Sequence, residues 1–195
     1  MFDTIRRARE GASVDGIRRM RRVWVIGISG SGKTTLAAEL ARRLGVPHIE
    51  LDAMHHGPDW AEPDLDQFRG DVAGVVAGDG WVVDGGYQRK LGTMVPEAAD
   101  TLIWLDLPLH VSMLRTARRS LSRVLRRAEL WNGNRETLGA LFWGRESLLW
   151  WSVKQHRIYE HSLPELFASP ECADKRILRL RSAKSVRAWL ATVPG

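Results

Sequence analysis

Four consecutive apolar residues, Val23-Trp24-Val25-Ile26, run straight into Gly27-Ile28-Ser29-Gly30-Ser31-Gly32-Lys33-Thr34, and a helix-patterned stretch from Thr34 to Leu44 follows, ended by Gly45 and Pro47. Few arrangements restrict a fold more. A short β-rich run that breaks at glycine suits a buried parallel strand. Spaced glycines let the backbone curl until successive N–H groups face a common centre, which bulky side chains would block. The helix opening near Lys33 adds its positive dipole end and its free N–H groups to that centre. The pattern G-x-x-x-x-G-K-[ST] in this strand–turn–helix context predicts a cradle for a nucleoside triphosphate, built from Gly27, Ser29, Gly30, Ser31, Gly32, Lys33, Thr34 and Thr35. Lys33 is expected to neutralise the β- and γ-phosphates, and the Thr34 hydroxyl to ligate Mg2+.

Strand and helix patterns keep alternating beyond this point. His48-Ile49-Glu50-Leu51 reads as a second strand ending at Asp52, residues 53–63 as a loop, and Leu65 to Ala77 as a helix. Trp81-Val82-Val83 reads as a third strand closed by Asp84, and Thr101-Leu102-Ile103-Trp104-Leu105 as a fourth closed by Asp106. From His110 to about Phe167 the pattern is mostly helical, with a turn at Asn132-Gly133-Asn134. Ile177-Leu178-Arg179-Leu180 is a fifth strand and Ser185 to Leu190 a last helix. Alternating strands and helices predict a parallel α/β sheet, which binds ligands at the carboxyl ends of its strands.

Composition narrows the function classes. At 195 residues, 44% hydrophobic and 27% charged, the chain suits one globular domain. No apolar run reaches the roughly 18–20 residues of a membrane-spanning helix. The basic N-terminal residues lack the apolar stretch of a secretory signal, so a cytoplasmic location with no membrane partner is expected. The single cysteine, Cys172, excludes an internal disulfide and a cysteine-based zinc site. Residues 1–22 carry seven arginines against three acids, and residues 110–160 ten basic groups against four acids. The first stretch reads as a basic leader over residues 1–20, with residues 21–195 as one domain. The second suggests a polyphosphate or nucleic-acid partner, because arginine grips phosphate with two parallel N–H groups; a solvated helix face is the plain alternative.

Within that block Arg115, Arg119 and Arg123 recur every four residues and share one helical face. They are expected to stabilise a phosphoryl group in transfer, or else to form a solvated face or contact nucleic acid. Asp84 ends an apolar strand and is the preferred carboxylate for Mg2+, with Asp106 as competitor. Asp52 either orients and deprotonates an attacking hydroxyl or caps a loop. The adjacent His55 and His56 fit a substrate pocket or a structural loop better than a metal site. Trp143, Trp150 and Trp151 read as packing of an extra helical layer, or as a platform for a nucleobase.

These residues carry a resemblance. Gly27–Thr35, His48-Ile49-Glu50-Leu51-Asp52-Ala53 with His55-His56-Gly57-Pro58, Trp81–Tyr87, Trp104-Leu105-Asp106 and Glu129-Leu130-Trp131-Asn132-Gly133-Asn134-Arg135-Glu136 resemble small P-loop kinases of the adenylate-kinase-like superfamily. The chain is most similar to the bacterial topology-modulation (FlaR-like) group, over about residues 21–192. The resemblance implies a P-loop NTPase fold with a five-stranded parallel sheet of order 2-3-1-4-5, flanked by helices. It also implies an Arg-rich helical lid over about residues 110–145, ATP as donor and a small-molecule acceptor, either a nucleotide or a hydroxylated metabolite. The loop Ser182-Ala183-Lys184 would then touch the adenine. Adenylate kinases carry Asp-Gly-Phe-Pro-Arg after the third strand, whereas this chain reads Asp84-Gly85-Gly86-Tyr87-Gln88-Arg89, which argues against AMP. Selectivity is expected in residues 53–63 and 85–95. The alternative is a nucleotide-dependent regulatory or nucleic-acid-binding protein with weak ATPase activity.

Overall fold

Successive side chains of a strand point to opposite faces of its sheet, so an unbroken apolar run needs cover on both sides. The computed structural model describes residues 20–126, 128–134 and 147–194. The first strand, β1 (Arg22–Gly27), lies at the centre of a sheet with β2 (His48–Glu50), β3 (Trp81–Asp84), β4 (Thr101–Leu105) and β5 (Arg176–Leu180). All pairings are parallel, and the order is β2-β3-β1-β4-β5, as the sequence led us to expect.

Alternation along β1 divides the interior in two. Trp24 and Ile26 pack with Phe68 and Val72 of α3 (Leu65–Val76) and with Tyr159 and Leu163 of α7 (Leu148–Phe167). Val23 and Val25 face the other way, against Leu36 and Leu40 of α1 (Lys33–Leu44) and Trp189 of α8 (Ala183–Leu190). Each fully buried valine, leucine or isoleucine contributes roughly 1.5–3 kcal/mol of transfer free energy. Met20, the last residue of the expected leader, is buried in this second cluster.

Two expectations about local structure are corrected. The second strand stops at Glu50, and Leu51 opens a short helix, α2 (Leu51–His55), so Asp52 stands in a helical turn rather than at a strand end. Leu51 is fully buried directly beneath Gly85, where an added Cβ would stand 2.8 Å from the leucine Cβ. Residues 53–63 are not wholly loop, since Pro58–Trp60 forms a 3-10 turn. The crossover from β3 to β4 is made by two short helices, α4 (Gln88–Leu91) and α5 (Met94–Ala98). The basic helix, α6 (Leu109–Leu125), follows β4, and a 3-10 turn at Trp131–Gly133 comes after it. Arg127, Arg135 and Trp143 lie outside the described residues.

Candidate active site

The glycine-rich turn leaves β1 at the carboxyl edge of the sheet and curls at Gly30 (φ 75°) and Gly32 (φ 94°), both in the region that favours glycine. Gly32 caps α1 without a side chain to accept from the first N–H groups of that helix, and its first turn holds no acid. An uncapped N-terminus of this kind is ready to take an anion. Lys33 and Thr34 are half-buried in its first turn and Thr35 is exposed. The turn is closed by the Ser31 N–H donating to the Ile28 carbonyl at 3.2 Å.

Helix α6 lies against the turn. A Cβ built on Gly30 would overlap the Ser112 carbonyl oxygen and stand 2.5 Å from the Thr116 hydroxyl. One turn further along α6, the Arg119 guanidinium donates to the Ser29 hydroxyl at 2.9 Å. The middle arginine of the predicted stripe therefore reaches the glycine-rich turn. Arg115 is exposed on the same helix and Arg123 is half-buried.

Asp84 ends β3 beside Val25 and Glu50 in register and is 1% exposed. Its Oδ1 accepts from the Thr34 hydroxyl at 3.4 Å, and its Oδ2 lies 2.8 Å from His48 Nε2. Threonine hydroxyl and buried carboxylate thus converge beside the cradle, a donor set suited to a hard, oxygen-seeking ion such as Mg2+. Asp106, the competitor, is engaged elsewhere. It takes both Arg179 Nε and Nη2 at 2.8 Å, and Arg181 Nε at 3.4 Å, and so ties β4 to β5. His48 was missed in the sequence; the signal available was a histidine on the strand expected beside Asp84.

The other candidate residues collect where residues 53–63 meet residues 85–95. Asp52 Oδ1 accepts from the Tyr87 hydroxyl at 2.9 Å, and Tyr87 lies 3.5 Å from His56 Nε2. Burial and the neighbouring Asp52 charge push the Tyr87 pKa far above its ordinary value, so the phenol stays protonated and donates. His55 is buried with its ring 4.6 Å from Tyr87 and 5.1 Å from Phe68. Its Nε2 lies 2.9 Å from Lys90 Nζ, and Lys90 also donates to Glu62 at 2.6 Å. Burial, and then the Lys90 charge, hold His55 below its ordinary pKa and keep it neutral. A cleft of about 160 Å³ opens here, lined by His55, Glu62, Phe68, Arg89 and Lys90 among others.

The Trp131–Gly133 turn reaches this region too. Trp131 Nε1 donates to Glu50 Oε2 at 3.1 Å, and the Trp131 ring stacks on His56 at 6.2 Å. Asp59, Trp60, Tyr87 and Asn132 are the non-glycine residues with positive φ among those described, and all four belong to this cluster. A left-handed backbone costs a side-chain-bearing residue about 1–2 kcal/mol, and such strain gathers at functional sites. Two further expectations fare differently. Trp150 and Trp151 are 52% and 47% exposed on α7, so neither belongs to the buried core of the described residues. The Ser182 hydroxyl accepts from the Ser185 N–H at 3.0 Å as the cap of α8, so its side chain has a structural task whatever its backbone meets.

The chain has the P-loop kinase fold. It covers 94% of shikimate kinase from Acinetobacter baumannii with 95% of its own length, at a TM-score of 0.54 and 13% identity. A gluconokinase from Sinorhizobium meliloti 1021 is similar over 90% of this chain and 92% of its own, at 20% identity and a TM-score of 0.49. A deoxyadenosine kinase from M. mycoides is similar over 88% and 95%, at 12% identity and a TM-score of 0.41. No family model matches the sequence, and no curated protein does. No helix among the described residues is long and apolar enough to cross a membrane.

Proposed function

We propose that this chain is a cytoplasmic small-molecule kinase that moves the γ-phosphoryl group of ATP to a small acceptor, either a nucleotide or a hydroxylated metabolite. The finer resemblance, to the topology-modulation (FlaR-like) group, belongs to the same reading. One observation carries it above the others: Arg119 reaches Ser29 of the glycine-rich turn at 2.9 Å, so a cation from the predicted stripe sits beside the predicted anion cradle. Nucleic acid is the less favoured partner in this reading, because the contact that arginine makes is with the glycine-rich turn.

The backbone from Gly27 to Gly32 and the Lys33 ammonium would hold the phosphates, and Arg119, with Arg115 and Arg123 on its face, would steady the charge on the transferring group. The Thr34 hydroxyl and Asp84 would hold Mg2+, which when bound supplies positive charge to the phosphate oxygens. Tyr87 occupies Asp52 Oδ1 and leaves Oδ2 to orient the acceptor hydroxyl and take its proton. The acceptor oxygen then bonds to the γ-phosphorus, the bond from that phosphorus to the bridging oxygen breaks, and ADP leaves.

A screen of nucleoside monophosphates and small alcohols for ADP release with Mg-ATP tests this. At least one acceptor should stimulate release. Lys33→Ala should abolish turnover, and Asp52→Asn should reduce it about a hundred-fold or more with ATP affinity little changed. Normal turnover by the Asp52 variant would remove Asp52 from this role, and no stimulation by any acceptor would overturn the reading.

A further inference from the structure

We propose that Asn134, with the Trp131–Gly133 turn it closes, is a positioning residue that latches residues 56–61 in place beside Asp52. Calling that loop the acceptor side rests on the function proposed above; the latch itself stands on contacts.

Asn134 is 4% exposed, and both ends of its amide are used. Its Nδ2 donates to the Gly57 carbonyl at 2.8 Å, and its Oδ1 accepts from the Trp60 N–H at 2.9 Å. One side chain thus spans Pro58 and Asp59 and grips the loop at both ends. The loop needs an outside hold. Asp59 (φ 54°) and Trp60 (φ 59°) stand consecutively in the left-handed region, which an aromatic residue does not enter by local preference. Asn132 Nδ2 adds a bond to the His56 carbonyl at 2.6 Å.

The latch is built like the loop it holds. Gly57 N–H donates to the Ala61 carbonyl at 2.8 Å and Leu130 N–H to the Asn134 carbonyl at 2.7 Å, and each turn carries a left-handed residue at its second position, Asp59 or Asn132. From the loop the contacts continue through His56 and Tyr87 to Asp52. The latch follows α6 along the chain, tied to it by the Ala128 N–H donating to the Arg123 carbonyl at 2.9 Å, and Arg119 of that helix touches Ser29. A nucleotide that steadies Arg119 should therefore steady residues 56–61 as well. Asparagine suits the task because it offers a donor and an acceptor together; aspartate would keep only the acceptor.

Hydrogen exchange of the full chain, with and without Mg2+ and a non-hydrolysable ATP analogue, tests the latch. In the unaltered protein the analogue should slow exchange in residues 28–34 and in residues 56–61. In Asn134→Ala, exchange at 56–61 should rise about ten-fold or more, the scale of two lost hydrogen bonds, and stop responding to the analogue, while residues 28–34 remain protected with affinity within about threefold. Asn134→Asp should restore protection at the Trp60 amide. The exposed Asn132→Ala gives a smaller change in the same direction and keeps the test alive if Asn134→Ala does not fold. Unchanged exchange at 56–61 in every variant overturns the latch, as does a parallel loss of protection at 28–34, which marks general damage. An analogue that fails to protect 28–34 in the unaltered chain counts against nucleotide binding alone; the variants' exchange at 56–61 without analogue still decides the latch.

Discussion

Gly30 shows how one residue joins two motifs. Its left-handed backbone and the Ser112 carbonyl pressed against it leave no place for a methyl group. Gly30→Ala adds backbone strain to overpacking, so the unfolding free energy should fall by about 2–4 kcal/mol. Gly32→Ala, with open space where its Cβ would stand, should lose only the strain, about 1–2 kcal/mol. Denaturant titration of both variants checks the difference, and equal losses would mean that α6 does not press on the turn. His55 gives a pH signature. Burial and Lys90 lower its pKa from 6.5, so the folded chain holds this proton less tightly than the unfolded chain. The stability from keeping it neutral is present above about pH 6.5 and is lost as pH falls through the window below it. His55→Gln should therefore flatten the decline in thermal midpoint between neutral and mildly acid pH. An unchanged decline in that variant would place the acid sensitivity elsewhere.

Strands and helices decide which of two similar aspartates meets Thr34. Asp84 and Asp106 both end apolar strands, and the sequence alone left them as rivals. Register settles their surroundings: β3 lies between β1 and β2, which brings Asp84 to Thr34 and His48, whereas β4 lies beside β5, which brings Asp106 to Arg179 and Arg181. Asp106→Ala should cost about 1–2 kcal/mol of stability through lost charged hydrogen bonds, with their partial exposure taken into account, and leave Mg-ATP turnover largely intact. Asp84→Ala should remove turnover with a smaller change in ATP affinity. Paired melting curves and rate measurements test this, and the opposite pattern would exchange the two roles. Helix α6 shows what periodicity can reveal. The four-residue spacing of its arginines predicted a shared face, and that face does put Arg119 at the glycine-rich turn.

Across the whole molecule, the sheet gathers distant segments at one edge because all its strands run the same way. The order of elements and the glycine cradle could be read directly, since both depend on local rules: apolar runs make buried strands, and glycines permit the curl. Asp52 was misplaced, because the burial of Leu51 under Gly85 is a contact across thirty-odd residues. His48, Tyr87 and Asn134 escaped notice for a related reason. Each acts on a partner far along the chain, and polar residues on a strand end, a tight turn and a post-helical segment carry no periodic signal of such a partner. What the sequence determined by itself was which backbone could curl around an anion and which stretches had to be covered on both faces. Only the tertiary structure decided which carboxylate meets Thr34 and which amide holds the strained loop. Hydrogen bonds act over about 3 Å, and that proximity is a property of the packed sheet and its crossovers, not of neighbours in the chain.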